Sequence, residues 1–333
     1  MGDRSIDQVN PNTVYVFDDL DFDMHLKRDY DFKRCNSFEL FPVIKYLMSH
    51  KKERFRERYN RMIMEFEDKL ISDGSNLSLD YFHDNLETLN VSYYNFWFYN
   101  RMSDSNVLGS YSLLENEIYI DKKGSLRILA HELLHVLGSK IDGPEYKSGF
   151  HYANAKDRIH LGKYFNEGYV EVLADRYFGM RSTPAYAKDK VFATLIEDVV
   201  GREKMEELYS HGDIEGLFDE LLPYTTEDKL VNFFKDVEKN HKLKSDKDGY
   251  TTKEQLQAFA RCENFCLECW LQKQKHEGLS DTEIGKKYFS YLDRVYEKTA
   301  QAYNNSLYLE VLTRVVKISY ANVVGEEKSN YKL

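Results

Sequence analysis

Apolar residues recur at three- and four-residue steps along most of this chain, which predicts helices, and switch to alternation only in a short central stretch. The run "SFELFPVIKYLMSHKKERFRERYNRMIMEFEDKLIS" at 37 to 72 reads as one or two amphipathic helices, with Tyr59, Met62, Ile63 and Phe66 on one face. Turn formers in "SDGSNLS" at 72 to 78 predict a linker, followed by a short helix. The β-branched and aromatic stretch "LNVSYYNFWFYN" at 89 to 100 predicts a strand. Next, "VLGSYSLLENEIYID" within 107–121 predicts a hairpin, with Glu115 and Asn116 near its turn and Ile118 and Ile120 alternating in its second arm. Two helices are predicted after it, in "GSLRILAHELLHVLGSK" and in "YFNEGYVEVLADRYFGM". From about residue 186 the pattern is helical almost throughout. The expected fold is α+β and predominantly helical, with a small mixed sheet whose edge strand lies beside the 126–137 helix and a helical C-terminal part. The expected organisation is an N-terminal helical segment (1–74), a central core (75–225) and a C-terminal helical subdomain (226–333).

Composition supports a folded chain. Of 333 residues 42% are hydrophobic and 14% aromatic, with 26 Tyr and only 5 Pro, enough apolar surface to offset the ordering entropy. The net charge is −10 and no basic surface patch is predicted, which argues against a nucleic-acid partner. The most basic run, "HKKERFRERYNR", interleaves Glu53 and Glu57 with its cations and reads as a solvated helix face. No secretory h-region and no apolar run of about 18 residues is present, so no membrane span is expected. In "MGDRSI", Ser5 falls one place early for N-myristoylation. The cysteines, Cys35, Cys262, Cys266 and Cys269, are too few and too bunched for a disulfide framework. The expected location is the cytoplasm, with export by a non-Sec route left open, as is the oligomeric state.

The chemistry enters with "HELLH" at 131 to 135. Ser125 is the expected N-cap of its helix and Gly138 its end. Leu126, Leu129, Ala130, Leu133, Leu134 and Leu137 cover so much of the circumference that the helix must be buried, where an ionisable group needs a partner. His131 and His135, four apart, project from one face about a turn from each other and can place two nitrogens on one metal ion. Glu132 stands next to that position, where a carboxylate can take a proton from metal-bound water. Composition alone would produce this spacing in about one such chain in fifty, so a third ligand decides.

That ligand is expected 32 positions on. Glu167, Glu171 and Asp175 recur every four residues, and like charges so spaced destabilise a helix unless cations meet them. Glu167 completes a His2Glu set with one position open, the catalytic zinc pattern. Glu171 is placed to accept the outer N–H of a ligating histidine, and Asp175 to serve as an ion-pair or capping partner. The pairing of HELLH with "NEGYVE" resembles the gluzincin metallopeptidases, the thermolysin-like group with a glutamate third ligand, and its Asn-Glu-Gly-x-x-Glu form is similar to that of bacterial members of unassigned function. The resemblance spans roughly residues 107 to 180. It implies His131, His135 and Glu167 as zinc ligands, Glu132 as general base and Glu171 behind a histidine, with Asn166 matching the Asn before the ligand.

The resemblance also implies a zinc-dependent peptide-bond hydrolase, an endopeptidase rather than an exopeptidase, that holds an extended peptide or protein substrate along the 107–121 hairpin by β-augmentation. Zn2+ acidifies a water, Glu132 takes its proton and later returns one to the leaving amine. A further group polarises the scissile carbonyl. The candidates are His160 first, then Tyr152, with His151 and Tyr164 also between the helices. The alternative is a catalytically silent relative that binds a partner or metal in a regulatory role, against which the intact Glu132 speaks.

Three other motifs carry weaker signals. "CENFCLEC" has the C-x3-C-x2-C spacing of four-iron clusters in radical enzymes, but the same spacing is one face of a helix. "SDKDGYTTKEQ" lacks the first and last carboxylates of a calcium loop, having Lys244 and Gln255 there. "VYVFDDLDFD" resembles the aspartate strand of haloacid-dehalogenase-like phosphatases without a doubly wound pattern downstream.

Overall fold

A computed structural model describes residues 61–93, 109–120, 126–154, 159–179, 185–243 and 251–325. Cys35, the 14–23 motif, most of the basic run and of the 37–72 helix, the strand prediction beyond Tyr93, and Ser125 lie outside the described residues. The fold is α+β and mostly helical, with small sheets and a helical C-terminal part. By contact the chain forms two compact units: 1–148, 152–159 and 210–212 make the first, and 149–151, 160–209 and 213–333 the second. Among the described residues no helix is long and apolar enough to cross a membrane.

In the first unit, helix α1 (61–72) ends in a turn at Gly74, whose φ of +62° suits a residue without Cβ. Its buried Phe66 packs on Phe82 of α2 (Asp80–Leu86), ring centroids 5.2 Å apart. Strands β1 (Asn90–Tyr93), β2 (Gly109–Ser112) and β3 (Glu117–Ile120) form one sheet in the order β1-β3-β2. β2 and β3 are the expected antiparallel hairpin, and β1 runs parallel to β3. Asn116 takes the left-handed turn conformation at φ +44°, tied by Nδ2 to the Asn85 carbonyl and by Oδ1 to the Tyr111 hydroxyl. Among the described residues β3 is central and β1 and β2 are the edges, and it is the edge strand β2 that approaches the next helix, through Gly109 against Ile128 and Glu132. Helix α3 (Leu126–Leu137) follows and ends before Gly138, as predicted. Its last carbonyls are satisfied from outside: Asn85 donates to Val136, and Ser139 to His135.

Where only connection was expected, β4 (Ser139–Asp142), β5 (Glu145–Ser148), β6 (His151–Asn154) and β7 (Ile159–Leu161) make a second sheet in chain order. A single small sheet was the expectation. Strands of three or four residues carry too little alternation to register in the sequence pattern.

The second unit holds α4 (Lys163–Phe178), α5 (Ala187–Val200), α6 (Arg202–Ser210), α7 (Ile214–Leu221), a 3-10 turn (Leu222–Tyr224), α8 (Glu227–Lys242), α9 (Lys253–His276), α10 (Asp281–Ala302) and α11 (Ser306–Val324). α9 and α10 start with capping boxes, Thr252 with Gln255 and Ser280 with Glu283. Gln255 is thus a capping residue; Lys244 lies outside the described residues. Cys262, Cys266 and Cys269 are free and buried along α9, the helix-face alternative to a cluster. Within the helical pattern expected from about residue 186, the last stretch is broken into α10 and α11, the second capped by Asn305 on the Leu307 amide.

Candidate metal centre

The first two predicted ligands share one helix face. His131 is half-buried and His135 buried, and their Nε2 atoms are 3.3 Å apart with the rings at 70°. Two ligands about 2.0 to 2.1 Å from a tetrahedral ion lie about 3.3 to 3.4 Å from each other, so this pair fits one small cation. Glu132 is buried beside them, 6% exposed. The edge strand reaches its carboxylate: a Cβ on Gly109 would lie 3.0 Å from Glu132 Oε1 and 2.3 Å from Ile128 Cγ2. Only a glycine lets the β2 backbone approach α3 this closely.

α4 begins after Gly162, whose φ of +80° and closeness to the Phe150 carbonyl exclude a side chain. Asn166 is fully buried, and its Oδ1 accepts the Phe150 amide at 2.9 Å. Glu167 and Glu171 are 4% and 1% exposed. Burial of two carboxylates one turn apart demands compensation, of a kind that a bound cation would supply. Asp175, by contrast, is half-exposed and pairs with Lys190 at 2.7 Å, an ion-pair role. The ligand atoms of His131, His135 and Glu167 all lie within 4.8 Å of one another, the one group of three so arranged among the described residues. The cysteine row forms no such group.

The chain matches no family model, no curated protein and no solved structure.

The carbonyl-polarising candidates differ in setting. His160 is exposed and its ring stacks on that of buried His151, centroids 6.1 Å apart. The Tyr152 hydroxyl donates to Glu145 Oε1 and accepts from Asn154. Buried Tyr164 stacks on His241, centroids 3.7 Å apart, and Tyr186 stacks on the same ring at 5.7 Å. His241 itself was missed from sequence. Its Nδ1 is 2.7 Å from Oδ2 of Asp189, a fully buried carboxyl. Burial raises the Asp189 carboxyl above its ordinary value, opposed by His241 and reinforced by the nearby charge of Glu167. Asp189, Phe192, Ala193 and Ile196 are all buried, so a carboxylate sitting in the apolar phase of α5 was the signal available in the sequence.

Proposed function

We propose that this protein is a zinc-dependent peptide hydrolase. The observation that supports the reading best is the His131 and His135 pair at 3.3 Å with buried Glu132 beside it and Glu167 within 4.8 Å. Two imidazoles and one carboxylate favour zinc over harder cations. Bound there, zinc would acidify a water and polarise a carbonyl. Glu132 would hold the proton taken from that water and return it to the leaving amine. Gly109 would let the β2 backbone lie against Glu132, so an extended peptide pairing along β2 would present its carbonyl to that carboxylate. His241, oriented through Nδ1 by Asp189, joins His151, Tyr152, His160 and Tyr164 as a candidate for the carbonyl oxygen. Endopeptidase action on an extended segment is part of the same proposal, and so is a cytoplasmic setting, which the free thiols suit.

Elemental analysis of wild type, Glu167→Ala and Glu132→Gln, followed by a peptide-library cleavage assay, tests this. About one zinc per chain in wild type, lost with Glu167→Ala but kept with Glu132→Gln, is expected. Cleavage by wild type should fall at least a hundredfold in Glu132→Gln. Metal-replete, folded wild type without zinc would end the proposal.

A further inference from the structure

Helix α4 presents Glu167, yet its rotation is not fixed by an apolar stripe. Thirteen of its 16 residues are buried, spread all round the helix. Close packing, including the backbone contact of Gly168 with Asp189, sets the coarse rotation, but no apolar stripe distinguishes one face from another. A carboxylate about 6 Å from the axis moves roughly 2 Å for a 20° turn, the length of a metal–ligand bond. Directional polar bonds refine it. Asn166 bonds the Phe150 amide on one side of Glu167, and the Tyr169 hydroxyl donates to Glu197 Oε2 of α5 at 2.9 Å on the other. Further along, Arg176 bridges Glu197 and Glu206, and the Tyr177 hydroxyl donates to Glu206 at 2.6 Å. Glu197 is 7% exposed and Glu206 fully buried, so these bonds are made in a poorly screened setting.

We infer that Tyr169 is the positioning residue for Glu167, its hydroxyl bond to Glu197 setting the rotation at which the carboxylate meets a metal. The inference rests on the reading of Glu167 as third ligand. Tyr177 makes the same kind of bond ten residues from Glu167 and serves as control.

The test is Co2+ titration of the full-length apoprotein, with visible absorption read as a report on ligand geometry. Wild type is expected to take up one Co2+. Tyr169→Phe should weaken Co2+ binding about tenfold and shift the absorption bands. Tyr177→Phe should lower the thermal midpoint while leaving both unchanged. Glu197→Gln, whose single carbonyl oxygen cannot take up the Tyr169 and Arg176 bonds on separate oxygens, is the second variant with the same expectation as Tyr169→Phe, should that one not fold. Unchanged bands and affinity in Tyr169→Phe, or equal changes in Tyr177→Phe, would overturn the positioning role while leaving the metal reading intact. Wild type that binds no Co2+ would overturn both.

Discussion

Glu263 is a carboxyl in a place that suits an apolar side chain. It lies fully buried on α9, accepts a bond from the Thr299 hydroxyl at 3.3 Å, and has its second oxygen unpartnered. Burial pushes its carboxyl from 4.5 up to about 8. The folded state therefore keeps a proton that the unfolded chain has lost, and stability falls as pH rises from 4.5 towards 8, by up to about 1.4 kcal/mol per pH unit. In Glu263→Gln that fall should be flattened, with little change at acid pH. Denaturant midpoints of both proteins at pH 5, 6.5 and 8 check this; parallel curves would refute it.

Elements are held at close range by glycines as much as by apolar faces. A Cβ on Gly168 would stand 2.4 Å from the backbone carbon and oxygen of Asp189, so α4 and α5 touch through backbone. Gly168→Ala gains about 1 kcal/mol of helix propensity but must push α5 away, at a cost of about 1 to 3 kcal/mol or more. A net loss of stability in urea unfolding is expected, with weakened metal binding, because Glu167 adjoins the displaced turn. The sequence revealed the elements that carry long periodic patterns, α3 with its stop at Gly138, the β2–β3 hairpin with its Asn116 turn, and the C-terminal helices. It concealed β4 to β7, whose strands are too short to show a period, and the break at Asn305. The pair of histidines was legible because four positions make about one turn of a single helix; Glu167, beyond the intervening sheet, was reached through the row of carboxylates on its own helix and through the resemblance. Asp189 and His241 were not, because 52 positions and two separate helices lie between them and only folding brings them together.

For the molecule as a whole, a metal gripped by residues 131, 135 and 167 would tie unfolding to metal release. Ligand at a thousand times its Kd adds about 4 kcal/mol to the folded state. Chelation should thus lower the thermal midpoint by several degrees, and stoichiometric zinc should restore it. A midpoint indifferent to chelator in a protein shown to have lost its metal would contradict a fold-linked site. The all-round burial of α4 carries a consequence for biosynthesis. Tyr169, Arg176 and Tyr177 find partners on Glu197 and Glu206, so a chain emerging from the ribosome cannot complete the bonds of the Glu167 helix until those residues are out. Through that interval His131 and His135 are already made while Glu167 is not yet seated, so on the proposed reading metal uptake would wait for the second unit to fold.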